Sequence, residues 1–304
     1  MSGHHHHHHH HDTHRGGGTG SADIDWAVMA PLIEANGEVH APATEQAAHW
    51  LCERLGDASE VHDVWDVGSG PGVAAGLFAQ VFPSAAVLAV DGEEALLERA
   101  RARAARLGVG DRLRTLTADL PDGLVDAGAA DLIWSSKALH HLGDQTGAVA
   151  RLADHLRPGG LLAVAEGGLP ARCLPRDFGI GRPGLQARLD AVVEDWFTEM
   201  RAALPDVRTT VEDWPAMLAA AGLTDLRSRT FLLDLPAPLP AAARDYLHAQ
   251  LVRLRETVAE NLDAEDRATL DRLVDPDDKD GILLRPDAFL LSAQTVHTGR
   301  RAVV

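Results

Sequence analysis

The chain has 304 residues and a formal net charge of −17, with 28 basic residues against 45 acidic ones. Nucleic-acid binding draws most of its affinity from Lys and Arg side chains that neutralise phosphates, so we expect no nucleic-acid partner. No apolar run approaches the roughly 20 residues of a membrane-spanning helix, so we expect no membrane partner either. Cys52 and Cys173 are the only cysteines, too few for a disulfide framework, which favours a reducing, cytoplasmic location.

Residues 1–20 contain an unbroken histidine run followed by three glycines, and we interpret them as an expression tag. The histidines outside this segment have no spacing typical of metal ligands, so we expect no metal site. The remaining length suits one large α/β domain with insertions, or a domain with a small cap.

Short apolar runs alternate with helical patterns from residue 61 onward, which is typical of βαβ units and a mostly parallel sheet. We predict strands over 61–67, 86–90, 113–118, 131–135, 161–165, 226–233 and 288–297. We predict helices over 73–82, 93–107, 144–156, 185–204, 211–221 and 241–261, with a turn at 157–160 before the fifth strand. The prediction is therefore an α/β fold with seven strands and helices on both faces of the sheet.

The alternation is interrupted twice, which suggests a core with insertions. We assign 21–60 to an N-terminal helical segment of two helices, 24–36 and 44–55. The core comprises 61–168, its continuation 211–235, and a last strand and tail at 288–304, with helical insertions at 169–210 and 236–287. Because α/β enzymes build substrate pockets from insertions at the carboxyl end of the sheet, we expect these segments to form a cap over a site.

The strongest local signal is the run Asp66-Val-Gly68-Ser69-Gly70-Pro-Gly72 after the first strand. Closely spaced glycines that open a helix let the backbone approach a ligand, with helix N–H groups directed at it. Val73 stands where a nicotinamide-dinucleotide fingerprint has its third glycine, and no Gly-Lys-Ser/Thr of a P-loop follows. Taken alone, the loop leaves the ligand open.

Four further signals follow in order: Asp91 after the second strand, Ala118-Asp119-Leu120 after the third, the segment 131–142 around the fourth, and Leu156-Arg-Pro-Gly-Gly160 before the fifth. Together with the loop, this set resembles the class I S-adenosylmethionine-dependent methyltransferases over residues 61–168. The resemblance implies a Rossmann-like fold, S-adenosylmethionine as cofactor and S-adenosylhomocysteine as product.

The resemblance also implies which residues bind the cofactor: Asp66, Gly68, Ser69, Gly70, Gly72, Asp91, Gly92, Asp119, Leu120 and Ser135. Asp91 is expected to accept hydrogen bonds from both ribose hydroxyls, because a carboxylate has two acceptor oxygens. Asp119 is expected to accept from the adenine amine. Two alternatives stay open: Gly72 could serve helix–strand packing alone, and Asp91 could cap the following helix.

His140 and His141 follow the fourth strand and are our candidate catalytic residues. A histidine there could take a proton from a hydroxyl or amine nucleophile, whereas the alternative is that the pair braces the loop. The candidate substrate-pocket residues are His40, between the two leading helices, and Arg172 and Trp196 in the first insertion.

These signals favour a methyltransferase that acts on a small molecule as a monomer or homodimer. Scarce lysine with abundant alanine, arginine and leucine is typical of GC-rich bacterial genomes, which suggests specialised metabolism. The main alternative is an enzyme of the same fold that cyclises S-adenosylmethionine itself and releases methylthioadenosine. A protein that binds the cofactor without catalysis would contain the same loop, whereas Val73 disfavours a nicotinamide oxidoreductase.

Overall fold

The computed structural model describes residues 25–303, so the predicted expression tag and Ile24, the start of the first predicted helix, lie outside the described residues. A single seven-stranded sheet has the order β3-β2-β1-β4-β5-β7-β6. Its strands are β1 Asp63–Val67, β2 Ala86–Asp91, β3 Leu113–Thr117, β4 Ala130–Ser136, β5 Leu156–Arg172, β6 Thr224–Leu235 and β7 Leu290–Arg300. The first five strands are parallel, and β7 is antiparallel to both neighbours, which confirms the predicted fold class.

Helices cover both faces of the sheet, because alternate strand residues point to opposite sides. The helices are α1 Trp26–Leu55, α2 Val73–Val81, α3 Glu94–Arg106, α4 Gln145–Asp154, α5 Leu185–Ala202, α6 Trp214–Ala220, α7 Ala241–Val258 and α8 Ala264–Val274. Leu132 and Trp134 of β4 pack with α1, α2 and α3, whereas Ile133 between them packs with α4 and α6. No helix within residues 25–303 is long and apolar enough to cross a membrane.

The N-terminal segment forms one helix, and the prediction of two helices was wrong. α1 continues through Pro31 and Pro42, although an interior proline removes a backbone hydrogen bond. The helix buries a row of small and apolar residues, Ala43, Ala47, Ala48 and Leu51. Gly37 also lets α1 approach α2 closely, since a Cβ there would lie 2.8 Å from the Val73 side chain. This packing outweighs the local cost of the prolines.

β5 extends beyond the predicted strand at both ends. The predicted turn 157–160 belongs to β5 as an irregular entry in which Gly159 has a φ of +83°. Gly167 and Gly168 also have positive φ, and pairing with β7 continues to Arg172. Residues 169–172, predicted to begin an insertion, therefore lie in the sheet. A further helix, α8, lies within the segment 236–287.

Candidate functional site

A cavity of about 570 Å³ lies at the carboxyl ends of β1, β2 and β4, with α1 forming one wall. Asp66 at the end of β1 and Asp91 at the end of β2 face into it, as do Gly68, Ser69 and Gly70 of the loop between β1 and α2. This is the position at which open α/β sheets bind their ligands, because the loops there carry the exposed backbone amides.

The loop requires glycine for its conformation and for its close contacts. Gly68, Gly70 and Gly72 all have positive φ, the left-handed region that side chains rarely adopt. A Cβ on Gly68 would lie 2.4 Å from the Ala138 Cβ, and one on Gly72 would lie 2.5 Å from the Ala100 Cβ. The loop is thereby packed between α3 and the segment that follows β4, while its backbone faces the cavity.

Asp91 links the loop to the next helix. Its Oδ2 accepts from the Gly70 amide at 2.8 Å, and its Oδ1 accepts from the Glu93 amide at 3.0 Å. Each carboxylate oxygen has a second lone pair, so two ligand hydroxyls can still donate to this side chain. Burial raises the pKa of Asp91 above its usual range, and hydrogen bonds from the backbone amides of Glu93, Gly70 and Gly92 partly offset this effect. The helix-capping contact and a ligand-binding role are therefore compatible.

Asp66 has a buried oxygen without a partner. The side chain is 2% exposed, and its Oδ2 accepts no hydrogen bond from any described residue. Burial, with a smaller contribution from Asp91, raises the pKa of Asp66 to about 7, although the Ala75 amide opposes the shift. A buried acceptor left unpaired costs about 1–3 kcal/mol, so a donor is expected to reach it when a ligand is bound. A cationic group of a ligand would be the most favourable partner for this oxygen.

A second cavity, of about 450 Å³, lies beside the first over β5, β6 and β7. The two cavities share four lining residues, Asn36, His40, Lys137 and Gln294. Asn36 accepts from the Tyr246 hydroxyl at 2.9 Å, and its carbonyl accepts from His40 Nδ1 at 2.9 Å. Burial, followed by the charge of Lys137, lowers the pKa of His40 to about 4, so His40 is neutral at pH 7.

His140 is paired with a buried carboxylate at the edge of the first cavity. Its Nδ1 lies 2.9 Å from Glu166 Oε2, and Glu166 Oε1 accepts from the Leu139 amide at 3.0 Å. An ionised carboxylate can only accept, so Nδ1 carries the proton and a neutral imidazole keeps Nε2 as its acceptor. His141 packs against the ring at 4.2 Å between centroids, and burial lowers the pKa of His141.

Comparison with known proteins identifies the family. Residues 64–160 match the family described as "Methyltransferase domain". The methyltransferase GfsG from Streptomyces halstedii is 32% identical over 206 residues, which span 66% of this chain and 68% of that protein. The chain belongs to the S-adenosylmethionine-dependent methyltransferase family. A trans-aconitate 2-methyltransferase from Deinococcus radiodurans is 40% identical over 101 residues, which span 33% of this chain and 36% of that protein.

Among solved structures, a candidate O-methyltransferase from Nostoc punctiforme matches this methyltransferase with a TM-score of 0.50 and 21% identity. The match covers 69% of this chain and 58% of that one. At this identity, the likeness shows the shared Rossmann-like fold.

The first cavity fits S-adenosylmethionine. The unpaired oxygen of Asp66 suits the cationic end of the cofactor, and the free lone pairs of Asp91 suit its ribose. The backbone of the loop at Gly68, Ser69 and Gly70 lines the same cavity. Among residues 25–303, no group of three or more His, Cys, Asp or Glu side chains could hold a metal ion.

Eight of the predicted site residues line the first cavity: Asp66, Gly68, Ser69, Gly70, Asp91, His40, His140 and His141. Gly72 packs on α3 instead, which supports the packing role left open by the sequence. Gly92 lies next to Asp119, which is exposed beyond the end of β3, and neither they nor Leu120 line the cavity. Their cofactor contacts stay predictions.

Ser135, Arg172 and Trp196 are not brought to either cavity. Ser135 is fully buried, and its successor Ser136 lines the first cavity, since neighbouring strand residues face opposite sides. Arg172 forms an ion pair with Asp190 at 2.7 Å. Trp196 is 40% exposed on α5, whereas its neighbour Phe197 packs against His140.

Six residues of the site were not singled out from the sequence: Asn36, Ser136, Lys137, Glu166, Tyr246 and Gln294. Glu166 could have been found, because it is an acidic residue that directly follows the apolar run of the fifth strand. Lys137 is one of two lysines in the chain and also follows a strand. Gln294 and Tyr246 come from distant segments and have no local signal.

Proposed function

We propose that this methyltransferase transfers the methyl group of S-adenosylmethionine to a small-molecule acceptor that enters the second cavity. The observation that carries the proposal is the junction of the two cavities at Asn36, His40, Lys137 and Gln294. A volume of about 450 Å³ lies within the range of small-molecule sites, roughly 300–1,000 Å³. An enzyme that only cyclised its own cofactor would have no need for a second cavity.

In this proposal, the backbone of the glycine loop and two carboxylates hold the cofactor in the first cavity. Asp91 accepts from the ribose hydroxyls, and Asp66 accepts from the ammonium group. The glycine loop allows close approach of the backbone. α1 covers the site and limits the access of water, which favours reaction with the acceptor over hydrolysis.

The bound cofactor supplies a methyl group on a sulfonium, already activated for displacement. The protein therefore mainly has to align the acceptor atom with that methyl group, which is a proximity effect. For a hydroxyl or amine acceptor, His140 accepts the proton at Nε2, while Glu166 holds the ring through Nδ1. Glu166 acts as a positioning residue, since it touches the imidazole and not the acceptor.

The first experiment is an assay of the purified protein with S-adenosylmethionine and a panel of small hydroxyl, amine and carboxylic acid acceptors, with products identified by mass spectrometry. We expect S-adenosylhomocysteine together with an acceptor heavier by one methyl group. Release of methylthioadenosine without acceptor would instead establish the cyclising alternative. Unchanged cofactor in the presence of every acceptor and of a bacterial metabolite extract would contradict an enzymatic role.

We also propose that the reaction belongs to bacterial specialised metabolism. A second proposal is that the protein acts in a reducing compartment such as the cytoplasm. The composition and the similarity to a protein from Streptomyces support the first proposal. The two free cysteines support the second. A monomer or homodimer stays our prediction for the oligomeric state, and light scattering would test it.

A further inference from the structure

Lys137 occupies the boundary between the two cavities. It follows β4 directly, its amide donates to the Ala165 carbonyl at 3.1 Å, and its side chain lines both cavities. The residue is exposed to the space of the two cavities, and the surrounding protein reduces the hydration of its ammonium group. Its φ is +52°, a left-handed conformation that is rare outside glycine and is often retained at functional sites.

The ammonium group of Lys137 forms no ion pair with any residue that the structure describes. No carboxylate oxygen of residues 25–303 lies within 4.0 Å of it. The nearby Glu166 already uses one oxygen for the Leu139 amide and the other for His140. Among the described residues that line either cavity, Lys137 is the one lysine or arginine. A charge held in this way favours an anion from outside the protein.

We propose that Lys137 binds a carboxylate of the acceptor, so that the substrates of this enzyme are small carboxylic acids. This inference rests on the proposed function, in which the second cavity takes the acceptor. Neutral polar residues of the second cavity can complete the contact: Gln250, Ser292 and Gln294 line it together with Lys137. Glu194 is the one acidic residue among its described lining residues and lies exposed on α5.

The carboxylate of the cofactor is the alternative ligand for Lys137. The first cavity offers that group a different place, at the N-terminus of α2, where Val73 and Ala74 line the wall. Free amides at a helix N-terminus bind anions well. Lys137, in contrast, also faces the cavity beyond, so the acceptor is the source that we favour. Burial lowers the pKa of Lys137, and an acceptor carboxylate would stabilise its charged form.

The test uses the full-length protein saturated with S-adenosylhomocysteine and a matched pair of probes, 4-hydroxybenzoate and the neutral 4-hydroxybenzamide. Binding is measured by calorimetry or ligand-observed NMR for the wild type, Lys137→Met and Lys279→Met. Lys279→Met is the matched control, since the chain's other lysine lines neither cavity. We expect the wild type and the control to bind the acid at least about tenfold more tightly than the amide. Lys137→Met should lose this preference while keeping its affinity for S-adenosylhomocysteine.

Three results would overturn the inference. The wild type could bind acid and amide equally, a comparison that does not depend on any variant folding. Lys137→Met could keep the preference for the acid. Lys137→Met could instead bind S-adenosylhomocysteine at least tenfold more weakly, which would assign the lysine to the cofactor carboxylate. If the wild type does not bind S-adenosylhomocysteine at all, the proposed function itself fails, and this outcome is distinct from the three above.

Discussion

The carboxylate of Asp91 accepts hydrogen bonds from the amides of Gly70 and Glu93 and still faces the first cavity. We predict that Asp91→Ala weakens the binding of S-adenosylhomocysteine by about 1.5–3 kcal/mol, because charge-assisted hydrogen bonds to the ribose are lost. Isothermal calorimetry would measure this. Asp126→Ala is the control, since Asp126 is exposed and lines neither cavity. Equal affinity in the wild type and Asp91→Ala would remove Asp91 from the cofactor site.

We predict that Asp66 makes cofactor binding depend on pH. Its pKa is raised to about 7 in the free protein, so below pH 7 the carboxyl group is increasingly protonated. A cation at its unpaired oxygen favours the ionised form, so binding must release a proton. We predict that affinity for S-adenosylhomocysteine falls between pH 7 and pH 5 by up to about tenfold per unit. Asp66→Asn should lack this slope, and calorimetry in buffers of different ionisation enthalpy should detect proton release from the wild type alone.

His140 and His141 line the same cavity, but the hydrogen bond to Glu166 is made by His140. We predict that His140→Ala lowers the turnover of a hydroxyl acceptor about 10²–10⁴-fold without changing cofactor affinity, as expected for loss of a general base. Glu166→Gln should lower turnover less, because the amide oxygen can still accept from Nδ1.

His141→Ala is the comparison for His140→Ala, because His141 has no hydrogen bond to Glu166. Loss of thermal stability or of cofactor affinity in His140→Ala would favour the bracing role of the pair. A stable double variant that turns over at the wild-type rate would remove both histidines from the mechanism.

At the scale of an element, a glycine of the loop after β1 can be compared with a glycine after α3 that has a similar backbone conformation. The comparison distinguishes the cost of backbone strain from the cost of steric contact. Gly68 and Gly108 have nearly the same φ, +76° and +73°, but a Cβ at Gly68 meets Ala138 whereas one at Gly108 meets nothing within 4 Å. We predict that Gly108→Ala costs about 1–2 kcal/mol of stability with normal cofactor binding. Gly68→Ala should cost more and also weaken binding. Urea unfolding and calorimetry would decide this, and equal effects of the two variants would contradict it.

The same element shows what the sequence can predict. The strand, glycine loop and helix from Asp63 to Val81 are local, because each step depends on residues next to it in the chain. α1 was not predictable in this way. Pro42 is a local signal for a break, and the packing that overrides it comes from α2, which lies later in the sequence. The extension of β5 to Arg172 likewise depends on pairing with β7, more than a hundred residues away.

At the scale of the whole molecule, Arg54 joins the end of α1 to the far edge of the sheet. Its guanidinium donates to the Asp225 carboxylate at 2.7 Å and to Thr298, and the Arg54 carbonyl accepts from Arg300 at 2.6 Å. The Arg54 side chain is 4% exposed. We predict that Arg54→Ala lowers the free energy of unfolding by roughly 1.5–3 kcal/mol, since the buried Thr298 hydroxyl loses a charged donor.

Arg227→Ala is the matched control for this prediction. Arg227 also pairs with Asp225, at 3.2 Å, but its side chain is largely exposed, and exposed ion pairs contribute about 0–1 kcal/mol. Thermal and urea unfolding of both variants would measure the difference. Similar stabilities would mean that α1 is held to the sheet by its apolar face alone.

The candidate site is assembled from the same distant segments, which sets how far it could be predicted. The proposed cofactor residues Asp66 and Asp91 lie at the carboxyl ends of β1 and β2, so their position at a shared edge follows from a parallel sheet. The boundary of the second cavity combines α1, the end of β4 and β7. Asn36 and Gln294 become part of the site only because the fold brings them together. No sequence pattern around either residue predicts this.

The measurement that most directly tests the account is a crystal structure of the protein with S-adenosylhomocysteine. We predict that the ligand occupies the first cavity, with its ribose hydroxyls on Asp91 and its amino group within hydrogen-bonding distance of Asp66. The sulfur atom should face the boundary with the second cavity, near His140 and Lys137. A ligand bound elsewhere, or one whose sulfur faces away from the second cavity, would contradict the proposed route of methyl transfer.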